Sequence, residues 1–231
     1  VDAEVLAMVM HIYQSFGLKH LKLVINSVGD MASRKEYNEA LVKHFEPVIH
    51  EFCSDCQSRL HTNPMRILDC KVDRDKEAIK TAPRITDFLN EESKAYYEQV
   101  KAYLDDLGIP YIEDPNLVRG LDYYTHTAFE LMMDNPNYDG AITTLCGGGR
   151  YNGLLELLDG PSETGIGFAL SIERLLLALE EEGIELDIEE NLDLFIVTMG
   201  DQADRYAVKL LNHLRHNGIK ADKDYLQRKI K

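Results

Sequence analysis

A chain of 231 residues that is 45% hydrophobic is long enough to bury one sizeable core and pieces of a second. It contains no apolar run of about 18 residues, which excludes a membrane-spanning helix, and its net charge of −15 argues against a generic nucleic-acid coat, because phosphate contacts need local Lys and Arg. Four cysteines are too few for a disulfide framework and no basic-then-apolar leader opens the chain, so a reducing cytoplasm is the expected location.

Apolar side chains at Val5, Leu6, Val9, Ile12, Tyr13 and Phe16 recur with helical spacing, and Gly17 sits where a helix would end. Leu21, Leu23 and Ile25 then alternate as in a strand, closed by the turn residues Asn26, Ser27 and Gly29. Between residues 31 and 107 the character changes. Residues 34–52 and 92–107 read as amphipathic helices around a polar stretch with Pro64 and Pro83, and no strand of comparable length interrupts them. This is the pattern of a helical insertion between strand-rich parts.

Within that insertion Cys53 and Cys56 form a C-x-x-C pair, followed by His61 and Cys70. The four side chains make a possible zinc ligand set, but the spacing is half of a zinc pattern with no second close pair, so the preferred reading is a structural thiol pair and no metal site is assigned.

Residues 108–113 read as a short strand, and Asp114, Pro115 and Asn116 as a turn into LVRGLDYYTHTAFE, residues 117–130. Here Arg119 and Gly120 precede Asp122, Tyr123 and Tyr124, and the alternation of Thr125, Thr127 and Phe129 marks a half-buried strand. A fixed, planar cation and two phenols at a strand entrance make a plausible pocket for an anion and a ring. The bland alternative is a loop salt bridge feeding a core strand. Adjacent strand residues face opposite sides, so the sequence leaves open which of Tyr123 and Tyr124 touches a ligand directly.

A polar loop at 134–140 and a returning strand at 141–145 make an antiparallel hairpin. The next stretch reads as a strand end, the three glycines Gly147, Gly148 and Gly149, then a leucine-rich helix. It lacks the GKS or GKT of a P-loop, and the glycines are expected to let the backbone pass close to a ligand faced by Arg150 and Tyr151, or else to make a tight turn. A strand at 164–172 leads into a helix carrying Arg174 in its first turn, with either a salt bridge to Glu173 or a phosphate or adenine contact as its role. Across 111–200 the only basic residues are Arg119, Arg150 and Arg174, against eighteen acidic ones, and each arginine falls in a motif-like stretch. Cations so placed in an acidic segment are most useful in a cleft. After an acidic linker, a strand at 192–198, an amphipathic helix at 202–216 and a further strand from 219 open a second, α/β unit with a locally basic composition. The element order is that of an α+β protein.

Taken together, RGLDYY, GGGRYNGL and GIGFALSIERLLLAL resemble the histidine-specific signature, the glycine-rich substrate loop and the third class II motif of histidyl-tRNA synthetases, in the family's order. The resemblance implies part of a class II antiparallel sheet core over 1–30 and 108–190, a helical insertion domain over 31–107 that touches the tRNA acceptor arm, and the start of an α/β anticodon-binding domain over 191–231. It implies a histidine-tRNA ligase that activates L-histidine with ATP, Mg2+ riding on the ATP phosphates, and transfers it to the histidine tRNA. Arg119 would contact the histidine carboxylate and the α-phosphate as the catalytic residue. Tyr123, Tyr124 and Tyr151 would line the histidine pocket, Gly147, Gly148, Gly149 and Arg150 would form the substrate loop, and Arg174 would hold the nucleotide.

The first and second class II motifs are not found and the last domain is short. The expectation is therefore a fragment that cannot activate histidine by itself and that belongs to a homodimer when intact. A non-catalytic relative, the synthetase-like regulatory subunit of ATP phosphoribosyltransferase, is the alternative. An intact RGLDYY and the α/β unit after residue 191 favour the synthetase.

Overall fold

The computed structural model describes residues 1–118, 123–134, 144–186 and 191–226. Its backbone divides into two compact units, residues 1–184 and 185–231.

The first unit is built on a five-stranded sheet. Strand β1 (Leu21–Ser27) pairs antiparallel with β3 (Thr125–Met133) from Leu21↔Met133 to Ser27↔Thr127. Strand β4 (Thr144–Arg150) and, after the one-turn helix α7 (Leu154–Leu157), β5 (Ile166–Leu170) extend the sheet antiparallel. The two-residue β2 (Ile112–Glu113) adds on the other side of β1 and runs parallel to it. The protein is thus α+β with a mostly antiparallel sheet, as the strand alternation predicts.

The glycine run differs from its reading as the sequel to a strand end. Gly147, Gly148 and Gly149 lie inside β4, paired on one side with β3 and on the other with β5. The reason is steric: a Cβ on Gly148 would overlap the Gly167 carbonyl oxygen, and one on Gly149 would lie 2.7 Å from the Thr127 carbonyl oxygen. Only bare backbone fits between the two neighbours.

Two apolar clusters flank this sheet. Helix α1 (Asp2–Ser15) buries Leu6, Val9 and Tyr13 with Leu23, Ile25, Phe129 and Leu131, and helix α6 (Glu91–Asp106) adds Tyr97, Val100 and Leu104. Helix α8 (Ile172–Glu181) closes the same cluster with Leu175, Ala178 and Leu179. The Tyr13 hydroxyl donates to the Leu145 carbonyl at 3.0 Å, and burial, with Cys146 nearby, pushes that phenol up to about 12. At the far end of α8, the Glu182 carboxylate accepts from the backbone N–H groups of Lys19 and His20, both at 3.0 Å, which ties it to the entrance of β1.

The second cluster gathers Tyr37, Leu41 and Phe45 of helix α2 (Met31–Phe45) with Phe52, Ile67, Ile79 and Ile85. Those last four come from a segment of short pieces, α3 (Ser54–Arg59), α4 (Met65–Leu68), α5 (Glu77–Lys80) and two single 3-10 turns. Helices α2 and α6 begin on a shared pair of caps. Asp30 accepts from the Ser33 N–H at 2.8 Å and from the Asn90 side-chain amide at 2.7 Å, while Asn90 accepts from the Ser93 N–H at 2.8 Å.

In the second unit β6 (Leu194–Ile196) and β7 (Ala221–Lys223) pair in parallel, joined by helix α9 (Asp201–His216), which buries Ala207 and Leu211. Parallel strands require such a crossover. The Lys223 ammonium is buried against the Asp204 carboxylate, which also accepts from the Thr198 hydroxyl at 3.2 Å.

Candidate active site

Tyr123 and Tyr124 come before the first residue of β3, so strand alternation does not separate them. Tyr124 is buried and Tyr123 half-buried, and their rings lie 5.1 Å apart at 52°. The Tyr124 carbonyl accepts from the Arg34 guanidinium at 2.8 Å, so α2 fixes the turn from which both rings project. Tyr151, immediately after β4, presents its ring edge-on to Tyr123 at 6.3 Å. Its N–H donates to the Gly165 carbonyl at 2.8 Å.

The glycines seat these rings. A Cβ on Gly165 would overlap the Tyr151 ring, one on Gly167 would lie 3.2 Å from the Tyr151 hydroxyl oxygen, and one on Gly149 would lie 2.9 Å from the Tyr124 ring. Tyr124 and Tyr151 therefore stand against bare backbone in and beside β4 and β5, with the Tyr123 ring next to both.

Arg150 is held beside them, buried, with its guanidinium on Asp2. Its Nε lies 3.1 Å from both carboxylate oxygens, and its Nη2 donates to Oδ1. Its Nη1 donates to the Asn152 side chain at 3.2 Å, and the guanidinium lies 5.6 Å from the centre of the Tyr96 ring. Asp2 also accepts from the Thr127 hydroxyl at 2.6 Å. Burial opposes ionisation of Asp2, but the hydrogen bonds from Arg150 and Thr127 prevail and hold its carboxyl below the usual range. The Tyr96 and His126 rings lie 4.9 Å apart, tilted at 36°, and burial pushes the Tyr96 phenol up to about 12.

His126 has φ +51°, at a register shift of β3 between Thr125 and Ala128, and its Nδ1 is buried with no hydrogen-bond partner among the described residues. Burial foremost, with Arg150 adding to it, lowers its pKa against the pull of Asp30 and Asp2. None of Asp2, Tyr96 or His126 is singled out by sequence, and Thr127 is marked only as part of a strand's alternation. An acid at a helix start and a tyrosine on an amphipathic helix have ordinary local explanations, and only the fold brings Asp2 to Arg150.

Arg174 stands at the start of α8, where Ser171 caps the helix by accepting from the Arg174 N–H at 3.2 Å. Its guanidinium donates to the Thr144 carbonyl at 2.6 Å, and the Thr144 hydroxyl donates to Glu130 at 3.0 Å. Glu173, the anticipated salt-bridge partner, instead accepts from the Ser171 hydroxyl at 2.9 Å.

Arg119, Gly120 and Asp122 lie outside the described residues. The chain on either side of them is fixed: Leu117 and Val118 are buried, and the Asn26 amide donates to the Leu117 carbonyl at 3.1 Å. In the helical segment Cys53, Cys56 and Cys70 come together, whereas His61 lines an open groove with Asn38, Val42 and Pro64.

A family model described as histidyl-tRNA synthetase matches residues 1–175. The chain belongs to the histidyl-tRNA synthetase family. It is 94% identical to an apo histidyl-tRNA synthetase from S. aureus, the match covering 99% of this chain and 55% of that one with a TM-score of 0.68. It is 21% identical to the histidyl-tRNA synthetase of Nostoc sp. PCC 7120, over 99% of this chain and 58% of the other, with a TM-score of 0.49. The chain thus spans about half the length of the S. aureus synthetase. Its mostly antiparallel sheet with helices packed on it is part of a class II synthetase fold, and the three motifs anticipated for a histidyl-tRNA synthetase, apart from the undescribed residues 119–122, fall on adjoining strands of one sheet and the segments beside them. Among the described residues no helix is long and apolar enough to cross a membrane.

Proposed function

We propose that this chain is part of a histidine-tRNA ligase, joining L-histidine to ATP as histidyl-adenylate and passing the histidyl group to the histidine tRNA in the cytoplasm. The observation that carries this reading is family membership over residues 1–175, with the aromatic set Tyr123, Tyr124 and Tyr151 gathered at the glycine-bearing strands.

In the first step a carboxylate oxygen of histidine attacks the α-phosphorus of ATP, bound as its magnesium complex, and pyrophosphate leaves. In the second, a hydroxyl of the tRNA's terminal ribose attacks the activated carbonyl carbon and AMP leaves. The phenols would orient the imidazole through hydroxyl contacts, and a site that hydrogen-bonds a ring nitrogen rejects side chains without one. Gly147, Gly148 and Gly149 would let the substrate approach the backbone of β4. Arg119 would be the catalytic residue, stabilising negative charge at the phosphorus with a permanently charged, bidentate group, and Arg174 would hold the nucleotide.

Arg150 is given a different part. Its charge is taken up by Asp2, so it would position Tyr151 from within the sheet. An anticodon-reading role for the second unit, an acceptor-arm contact by the helical segment and a homodimeric state belong to the same proposal.

Histidine-dependent ATP–pyrophosphate exchange, measured on the complete protein beside its Arg119→Ala variant, tests it. Exchange that requires histidine and collapses in the variant is the expected result. Histidine binding without exchange in the unsubstituted protein would overturn the reading in favour of a non-catalytic regulatory relative.

A further inference from the structure

The helical segment around Cys53 contains a cluster that aminoacylation does not use. The Sγ atoms of Cys53, Cys56 and Cys70 and a carboxylate oxygen of Asp73 all lie within 4.8 Å of one another. Cys56, Cys70 and Asp73 are buried and Cys53 is half-buried. The Cys53 and Cys70 sulfurs are 3.7 Å apart, and the Cys70 sulfur is 3.6 Å from Asp73 Oδ2.

These separations have a simple geometric meaning. A tetrahedral zinc with Zn–S of about 2.3 Å and Zn–O of about 2.1 Å has ligand atoms about 3.8 Å apart along a sulfur–sulfur edge and about 3.6 Å along a sulfur–oxygen edge. The observed separations match both edges. Without an ion the same arrangement places a carboxylate at 3% exposure among thiols, which are weak donors.

We propose that Cys53, Cys56, Cys70 and Asp73 form a structural zinc site. The sequence then reads C-x2-C-x13-C-x2-D, two ligand pairs of equal spacing in which a carboxylate takes the last place. A search for cysteine and histidine alone misses the second pair, and His61 drops out because it lies with α2 residues at the groove. All four positions belong to the protein, which marks a closed, structural site and not one kept open for a substrate.

Its surroundings suit that role. The Cys53 N–H donates to Asp73 Oδ2 at 3.0 Å, and the Lys76 ammonium lies 3.8 Å from the other oxygen, Oδ1, while donating to the Glu51 carbonyl at 2.6 Å. Such outer contacts orient the ligands and offset the charge of three thiolates and a carboxylate. The four ligands join α3 to the turn after α4, in a stretch whose helices are too short to hold themselves. The metal supplies the cross-link that a longer core would otherwise provide.

The test uses the full chain, produced with zinc in the medium, freed of loose metal on a chelating resin and assayed by atomic emission, beside Cys53→Ser and Asp73→Ala. Near-stoichiometric zinc in the parent, with clear loss in both variants, is expected. Cobalt(II) exchanged into the parent should give the near-ultraviolet thiolate-to-metal band of a tetrahedral sulfur site. The parent serves a second measurement that requires no variant to fold: Cys53, Cys56 and Cys70 should resist alkylation with zinc bound and react after chelation. A metal-free parent whose three thiols alkylate equally with and without added zinc overturns the site, and so does recovery of a Cys53–Cys70 disulfide in place of bound metal.

Discussion

The guanidinium of Arg150 and the carboxylate of Asp2, 148 positions apart in the chain, form a buried ion pair that joins the first turn of α1 to the last residue of β4. Removing one member of such a pair strands the other, at a cost of about 3–5 kcal/mol. Asp2→Ala and Arg150→Ala should each lower stability by that order in urea unfolding. The double variant should lose clearly less than the sum, because the second substitution removes a charge already stranded.

The same pair sets a pH dependence. The folded state holds the Asp2 carboxyl below its unfolded value, so its contribution is fully present above an unfolded pKa of about 3.9 and is lost as pH falls through the lower folded value. Asp2→Asn should therefore be least stable relative to the parent at neutral pH, and the two urea midpoints should converge below about pH 4.

His126 titrates in the opposite chemical sense with the same outcome. Burial holds the ring neutral, so the unfolded chain takes up a proton before the folded one as pH drops below about 6.5. The His126 ring protons should show an NMR titration midpoint below 6.5. A midpoint at or above that value would mean that Asp30 and Asp2 outweigh burial.

Asn90 and Asp30 cap neighbouring helices and hydrogen-bond to each other. Asn90→Ala should cost about 1–2 kcal/mol, and Asp30→Ala a similar amount. The two changes should be non-additive in a double-variant cycle read by thermal unfolding, since either loss loosens both helix starts.

The glycines in and beside β4 and β5 divide into two kinds. A Cβ on Gly148 meets the carbonyl oxygen of Gly167, which is backbone and cannot swing away, so Gly148→Ala should impair folding itself, seen as a lowered melting temperature. A Cβ on Gly165 meets the Tyr151 ring, which is able to turn aside. Gly165→Ala should keep most of the stability and raise the histidine KM in pyrophosphate exchange by about tenfold or more, the scale of one displaced contact of 1.4 kcal/mol.

Much of the fold is legible because its elements announce themselves locally. The alternation of Leu21, Leu23 and Ile25 and the helical spacing of Leu6, Val9 and Tyr13 are properties of short windows. The parallel placement of β2 is not legible, since two residues carry no periodicity and their partner lies across the whole helical segment. The three tyrosines of the candidate site are readable as chemistry, whereas the shared direction of Tyr123 and Tyr124 depends on β3 beginning only at Thr125. Arg150 shows the limit most clearly: a motif arginine beside glycines invites a ligand, and its partner is an aspartate whose position in the chain gives no hint of it.

Helix α1 touches β4 at both ends, through Tyr13 at Leu145 and through Asp2 at Arg150. From residue 2 to 13 a helix rises about 17 Å, and from residue 145 to 150 a strand advances about the same distance. The two lengths match, so α1 acts as a splint. Between the two fastenings lie three consecutive glycines, the residues with most backbone freedom to lose on folding. A strand of that composition would buckle if left to its own stiffness. Here its straightness is borrowed from a helix, which lets the backbone of β4 stay free of side chains and still keep its shape.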